Sequence, residues 1–287
     1  MPIIEVKKLS FIYAKGTPLE CRAVNNVSVS IERGEFIGII GHTGSGKSTF
    51  IKHLNGLIEP TEGKVFIDGV DIFASPNKLK DVRFKVGMVF QYPEHQLFDE
   101  TVFKDISFGP KNMGLSEALV EERVLSAIKF VELDADILNK SPFELSGGEK
   151  RRVAIAGVIA MNPDVLVLDE PTAGLDPLGS KQILSHIKDY HKKENKTVIL
   201  VSHNMEDVAR LSQKVMVLDN GDLKMFDETR RIFSKEENLE KMGLRIPQIT
   251  KIMKGLQGKG LKVKSGILTV EEAAEELVKI IQGRKYL

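Results

Sequence analysis

Short apolar runs recur along the chain, and most end on a polar or acidic residue. Phe36-Ile37-Gly38-Ile39-Ile40, Val86-Gly87-Met88-Val89-Phe90, Val165-Leu166-Val167-Leu168 and Thr197-Val198-Ile199-Leu200-Val201 are unbroken enough to predict strands buried on both faces, as in a parallel sheet. Val215-Met216-Val217-Leu218 predicts a closing strand, and Asn220-Gly221 a type I′ hairpin turn after it. Nearer the N-terminus the period is two: Val27, Val29 and Ile31 alternate with Ser28, Ser30 and Glu32, so residues 3–33 read as antiparallel strands with one wet face. Gly63 to Gly69 predicts a short strand and turn. Between Gln91 and Leu145 the period becomes helical, with Val120, Val124, Ala127, Ile128 and Val131 on one face, and an apolar helix follows over Val153–Met161. Ile183, Leu184 and Ile187 share a face after Asp176-Pro177. In the tail, Thr269 and Glu272 form a capping box ahead of a stripe of Val270, Ala273, Ala274, Leu277 and Ile281. The pattern predicts an α/β core with an antiparallel β subdomain, an inserted α-helical subdomain over about 92–160 and a small C-terminal helical domain over 229–287. The first 228 residues form the main domain.

The candidate chemistry lies where these strands end. Gly41-His42-Thr43-Gly44-Ser45-Gly46-Lys47-Ser48-Thr49 fits G-x-x-x-x-G-K-[ST], a phosphate-binding loop, and stands between a predicted strand and a helix beginning near Phe50. The glycines let backbone N–H groups converge into an anion site, and the helix dipole adds positive potential there. Lys47 brings a full charge to the outer phosphates, and Ser48 offers a hydroxyl oxygen to Mg²⁺. Asp169 and Glu170 stand at the carboxyl end of an apolar strand, where ligands bind in open α/β sheets. Asp169 suits a metal ion and Glu170 an attacking water. Gln91 ends another strand and can reach metal or water. His203, after a third strand, is placed to touch a phosphate oxygen. Ser146-Gly147-Gly148 opens a helix and makes a second anion site of similar design. His95 has no His or Cys at ligand spacing and reads as a packing residue.

Charge and composition narrow the partners. The formal charge of the 287 residues is +1, so no bulk electrostatic attraction to nucleic acid is expected. Cys21 is the single cysteine, which excludes an internal disulfide. No apolar run approaches the ~18 residues of a membrane span, and Met1–Val6 lacks the features of a signal peptide. A soluble or peripheral protein is expected. Lys241–Lys264 is basic and free of acids, but Pro247, Gly255, Gly258 and Gly260 interrupt it, which favours a solvated face.

In order, the phosphate loop, Gln91, Leu145-Ser146-Gly147-Gly148-Glu149, Leu168-Asp169-Glu170, Asp176 and His203 resemble the ATPase of an ABC transporter over roughly the first four-fifths of the chain. The insertion Thr17-Pro18-Leu19-Glu20, the run Phe90-Gln91-Tyr92-Pro93-Glu94-His95-Gln96-Leu97-Phe98 and the helical tail narrow the resemblance. They match the ATP-binding subunits of energy-coupling factor transporters, closest to the A2 type, related to cobalt-transporter ATPases. The resemblance implies a P-loop NTPase (RecA-like) core and an ATP hydrolase coupled to transmembrane transport, with ATP and Mg²⁺. Two such ATPases would meet head to tail. Tyr13 would stack on adenine, and residues Gly41 to Thr49 would hold the phosphates. Ser48, Gln91 and Asp169 would hold Mg²⁺, Glu170 would act on water, and His203 would hold the γ-phosphate. Ser146, Gly147, Gly148 and Glu149 would bind the ATP of the partner, with Asp176 coupling the sites. Glu149 stands where glutamine is commonest in the family, and Ala173-Gly174-Leu175 replaces Ser-Ala-Leu before Asp176.

The implied partners are a second ATPase, a paralogue rather than an identical chain, a membrane coupling protein (the T component) and a substrate-capturing membrane protein (the S component). The implied place is the cytoplasmic face of the cell membrane. Glu94, together with an apolar floor of Leu97 and Phe98, is expected to receive a cationic coupling helix. The alternatives are the ATPase of another ABC importer and, further off, a soluble ABC ATPase. Only some fifty residues separate Gln91 from Ser146, which leaves no room for the long coiled coil of repair ATPases, and a single phosphate loop excludes the tandem translation type.

Overall fold

The computed structural model describes residues 1–75 and 78–284, so the last three positions of the expected 229–287 tail lie outside the described residues. β1 (Ile4–Tyr13) and β2 (Cys21–Ile31) run antiparallel, with Ile4 opposite Ile31 and Tyr13 opposite Cys21. β3 (Phe36–Ile40) leads through the phosphate loop into α1 (Lys47–Leu54). β4 (Glu62–Ile67) and β5 (Val70–Asp71) complete a sheet in the order β2-β1-β4-β5. After α2 (Lys78–Lys85) and β6 (Val86–Val89), a 3-10 turn at Pro93–Gln96 enters the helical subdomain. It holds α3 (Val102–Asn112), α4 (Glu117–Phe130) and α5 (Gly147–Ile159). The chain continues through β7 (Val165–Asp169), α6 (Pro177–Glu194), β8 (Thr197–Val201), α7 (Met205–Leu211), β9 (Lys214–Asp219) and β10 (Asp222–Glu228). The tail is α8 (Thr229–Ser234), α9 (Glu236–Lys241), α10 (Gln248–Gly258) and α11 (Val270–Arg284). This is the expected α/β architecture. The second sheet has the order β10-β9-β3-β8-β7-β6, parallel except for the edge strand β10.

The apolar runs work as buried strands because each side chain alternates between two cores. Val165 and Val167 of β7, and Ile199 and Val201 of β8, face the core shared with the β1–β5 sheet and with Phe50 and Ile51 of α1. Leu166, Leu168, Val198 and Leu200 face the core beneath α3–α6. At β9 the outer face is covered by the tail: Ile232, Phe233, Leu239, Leu244 and Ile246 pack with Val208, Val215 and Val217. The helix after Ser146 starts at Gly147, well ahead of the apolar run Val153–Met161.

The terminal stripe is narrower than its spacing predicts. Ala273, Leu277 and Ile280 pack with Met253, Val263 and Ile267. Val270 and Ile281 are 66% and 59% exposed, and Ala274 also faces out. Rotation by about 100° per residue carries 280, not 281, back over 273 and 277. Thr269 accepts the N–H of Glu272 at 3.2 Å, but Glu272 reaches past Thr269 to accept from Leu268 N–H at 3.0 Å.

Candidate active site

Parallel pairing brings the polar strand ends together. β3 lies between β8 and β9, and β8 lies beside β7, so the phosphate loop, the Asp169-Glu170 pair and His203 share one edge of the sheet. β6 pairs Val89 with Leu168, which puts Phe90 and Gln91 level with the two acids. Gln91 is exposed there.

The loop is fixed by close backbone contacts. A Cβ on Gly46, at φ 97°, would meet the Ala23 carbonyl at 2.2 Å, and one on Gly41 would meet the Leu218 carbonyl at 2.3 Å. His42 Nε2 lies 2.9 Å from Asp219 Oδ1 and its Nδ1 lies 2.6 Å from the Thr43 carbonyl. Lys47 donates to the carbonyls of Gly41 and His42 at 2.8 and 2.9 Å. Burial lowers its pKa, and the charges of Glu170 and Asp169 act against that shift. Tyr13 is 41% exposed, its hydroxyl 3.2 Å from Thr49 Oγ1 and its ring edge-on to Phe11.

The acids are held in unlike ways. Asp169 is buried, and burial raises its pKa despite a hydrogen bond from Ser48 and the charge of Lys47. Glu170 has the left-handed backbone φ of 52°, uncommon outside glycine. Its N–H donates to the Val201 carbonyl at 3.0 Å, and its Oε2 accepts from His203 N–H at 3.4 Å. His203 Nε2 lies 3.2 Å from Glu170 Oε1, but off the hydrogen-bond direction, and that buried oxygen has no hydrogen-bond partner among the described residues. Burial pushes the Glu170 carboxyl up to about 7, with Asp169 adding to the rise and His203 N–H and Lys47 opposing it. Burial and Lys47 lower the pKa of His203.

The second anion motif does not join this crevice by hydrogen bonding. Ser146 caps α5, accepting from Glu149 N–H at 3.3 Å, while Glu149 Oε2 accepts the N–H and the hydroxyl of Ser146 at 2.8 and 2.6 Å. That hydroxyl holds the Glu149 carboxyl below its ordinary pKa. A Cβ on Gly147 or Gly148 would meet nothing within 4 Å, so both face open space. Asp176 caps α6 by accepting Gly179 N–H at 2.8 Å.

Glu94 corrects the sequence reading. It does not offer a free charge to a partner. Both its oxygens are taken by Arg151, at 2.7 and 2.9 Å, and Arg151 is 2% exposed. Burial works to raise the Glu94 pKa, and the hydrogen bonds and charge of Arg151 outweigh it, so the net shift is downward. His95 stacks on Tyr92 at 6.0 Å. Leu97 and Phe108 line a cavity of about 300 Å³ on the helical subdomain, whose wall includes Val153, Gly157 and Met161. Phe98 meets Phe108 edge-on at its rim, and the two are 60% and 50% exposed. Nothing local in the sequence marked Arg151, because its partner is 57 residues away.

The donor set suits a magnesium triphosphate. Ser48, Asp169 and Gln91 offer oxygens only, and Mg²⁺ is commonly held by a few protein oxygens together with substrate phosphates. Among the described residues no three His, Cys, Asp or Glu side chains form an all-protein metal cage. The unpartnered buried oxygen of Glu170 faces the same crevice as Lys47 and His203.

Strand, phosphate loop, acid pair and capped second helix together define an ATP-binding cassette, and the family model "ABC transporter" matches residues 24–173. Energy-coupling factor transporter ATP-binding protein EcfA2 of Caldanaerobacter subterraneus subsp. tengcongensis is 53% identical over 285 residues, covering 99% of each chain. The protein of the same name from Clostridium tetani is 51% identical, covering 98% of each. The solved structure of cbiO1 from Clostridium perfringens, described as part of the ABC transporter complex cbiONQ, is 36% identical with a TM-score of 0.74, covering 88% of this chain and 99% of that one. A dimeric ATP-binding cassette in a post-hydrolysis state with ADP and phosphate is 31% identical with a TM-score of 0.70, covering 79% of this chain and 98% of that one. The chain belongs to the ABC transporter ATPases and, within them, to the energy-coupling factor transporter ATP-binding proteins of the A2 type. No described helix is long and apolar enough to cross a membrane.

Proposed function

We propose that this chain binds and hydrolyses ATP to power an energy-coupling factor importer for vitamins or transition-metal ions. It works on the cytoplasmic face of the membrane, beside a paralogous second ATPase, a T component and an S component. The observation that carries the reading is Glu170: a carboxylate in a strained backbone position, with a buried oxygen that has no hydrogen-bond partner among the described residues, beside Lys47, Asp169 and His203.

The residues divide the work. Tyr13 stacks on adenine. The N–H groups of the loop from Gly41 to Thr49 bind phosphate oxygens, and Lys47 turns from its carbonyl partners to the outer phosphates. Ser48, Gln91 and Asp169 hold Mg²⁺, which when bound neutralises charge on the phosphates. Glu170 accepts a hydrogen bond from the attacking water and orients it, and neutral His203 donates to the γ-phosphate. Ser146, Gly147, Gly148 and Glu149 close on the nucleotide of the partner ATPase, with Asp176 at the interface. Of the tail of residues 229–287, the part from about 248 onward acts as the helical dimerisation domain, and residues 229–247 pack on the ATPase domain of residues 1–228. Ile252, Val270, Val278 and Ile281 give that tail exposed apolar side chains to bury.

The cavity bounded by Leu97 and Phe108, with Phe98 at its rim, takes the coupling helix of the T component, chiefly by apolar contact. Replacing both exposed aromatics, Phe98→Ser with Phe108→Ser, tests this. ATP affinity of the purified chain should stay within about twofold, while co-purification with the membrane subunits and ATP-driven uptake in proteoliposomes fall at least ~10-fold, about 1.4 kcal/mol of docking energy. Full assembly and uptake by the double variant would sink the groove. A wild-type chain that binds no ATP, or pulls down no membrane subunit, would sink the wider reading.

A further inference from the structure

Arg151 is among the largest buried side chains of the described residues, and arginine is rarely buried without a partner. Its Nε and one terminal nitrogen grip the two oxygens of Glu94 at 2.9 and 2.7 Å. Its other terminal nitrogen donates to the Ala173 carbonyl at 2.5 Å, and the guanidinium stands 6.0 Å from the Tyr92 ring. One planar group thus joins three segments: α5 behind the Ser146 cap, the turn after Gln91 and the turn after Glu170.

Each tie is short. Ala173 N–H donates to the Glu170 carbonyl at 3.1 Å, so Arg151 holds the very turn that sets the Glu170 backbone. Glu94 belongs to the 3-10 turn that Tyr92 caps, directly after Gln91. Tyr92 and Glu170 both adopt left-handed φ, 55° and 52°. Such residues persist only where the surroundings over-determine them, and the Arg151 fork fastens both turns. Net stability does not explain the pair, because a buried ion pair is commonly no better than an apolar replacement of equal volume. A planar fork with fixed donors does fix the relative orientation of the groups it binds.

We infer that Arg151 is a positioning residue for ATP hydrolysis: through Glu94 and Ala173 it locks the Gln91 and Glu170 turns to the helix that Ser146 caps. Resting on the ATPase reading above, this gives one chain a rigid link between its own hydrolytic carboxylate and the helix it offers to its partner's nucleotide.

The test uses the full-length chain assembled with its partner ATPase. Arg151→Lys keeps the charge but cannot reach Glu94 and Ala173 together. The pair Arg151→Met with Glu94→Leu removes both charges, so no buried charge is left alone. For both variants the expected result is a melting temperature near wild type, ATP affinity and KM within about twofold, and kcat lowered at least ~10-fold. A variant that melts like wild type and keeps kcat within twofold overturns the proposal. So does a loss of ATP affinity in step with melting temperature, which would make the pair a packing element only. Absence of Mg²⁺-dependent hydrolysis in the wild-type assembly would instead overturn the ATPase reading and this inference with it.

Discussion

Glu170 carries a measurable signature of its setting. Burial pushes its carboxyl up to about 7. In the free protein it therefore holds a proton below that pH and orients water as the anion above it. With a raised acid the sign is fixed: kcat/KM for ATP should rise with pH and level off above about 7. The same shift makes the folded state bind more protons than the unfolded chain between the ordinary carboxyl value and about 7, so this group's contribution to stability falls across that window as pH rises. Glu170→Gln should bind ATP, lose at least ~10²-fold in hydrolysis, and lose the acid limb of the pH profile. Near-normal turnover by the variant would remove Glu170 from its role. Lys47 is the complementary residue. Lys47→Ala deletes the loop's buried full charge, and titration calorimetry should show most ATP affinity gone while the melting temperature without nucleotide changes little. Equal affinity would refute it.

The helix α5 shows how one element serves two ends. Its first turn is held by the reciprocal Ser146–Glu149 cap, and its second reaches Glu94 and Ala173 through Arg151. Glu149→Gln preserves an acceptor for Ser146 and should leave stability within about 0.5 kcal/mol, whereas Glu149→Ala should cost about 1 kcal/mol, a drop of roughly 2–4 °C in melting temperature. Equal melting of the two variants would deny the cap its energetic role. The sequence showed a helix opening at Ser146-Gly147-Gly148 and an anion site there, whereas the reciprocal cap with Glu149 emerges from the structure. The β strands and their polar ends were legible because burial on two faces demands unbroken apolar runs, as in Val165–Leu168. Two helices were less legible, for different reasons: α2 buries Val82 alone, and α3, though Val102 and Ile106 are buried, carries the helix breakers Gly109 and Pro110 in its last turns. The Glu94–Arg151 pair was hidden because an ion pair between distant segments leaves no local period, and Glu94 alone read as a surface acid.

At the scale of the whole molecule, the tail is two different things. Its first half belongs to the core: Ile232, Phe233 and Leu239 are fully buried against Val208, Val215 and Val217, and Thr229 is tied to Ser212 and Gln213. Its second half has a small core of its own, built on Met253, Val263, Ile267 and Ala273, with Gln248 N–H held by Glu206. Cutting the chain at 229 would strip side chains worth on the order of 5–10 kcal/mol of burial, comparable to the whole stability of a domain. That truncation should aggregate or melt at low temperature and report nothing about association. Cutting at 248 removes the second core, the exposed Ile252, Val270, Val278 and Ile281 and, from the core at β9 and α7, Leu268, while Ile232, Phe233, Leu239, Leu244 and Ile246 stay in place over β9. This shorter chain should fold and bind ATP, yet sediment as a monomer when mixed with its partner ATPase without nucleotide, where the full chain sediments as a dimer. ATP should restore association, because the Ser146 cap and the phosphate loop remain. If the chain cut at 248 still pairs without nucleotide, the tail is not what joins the two ATPases.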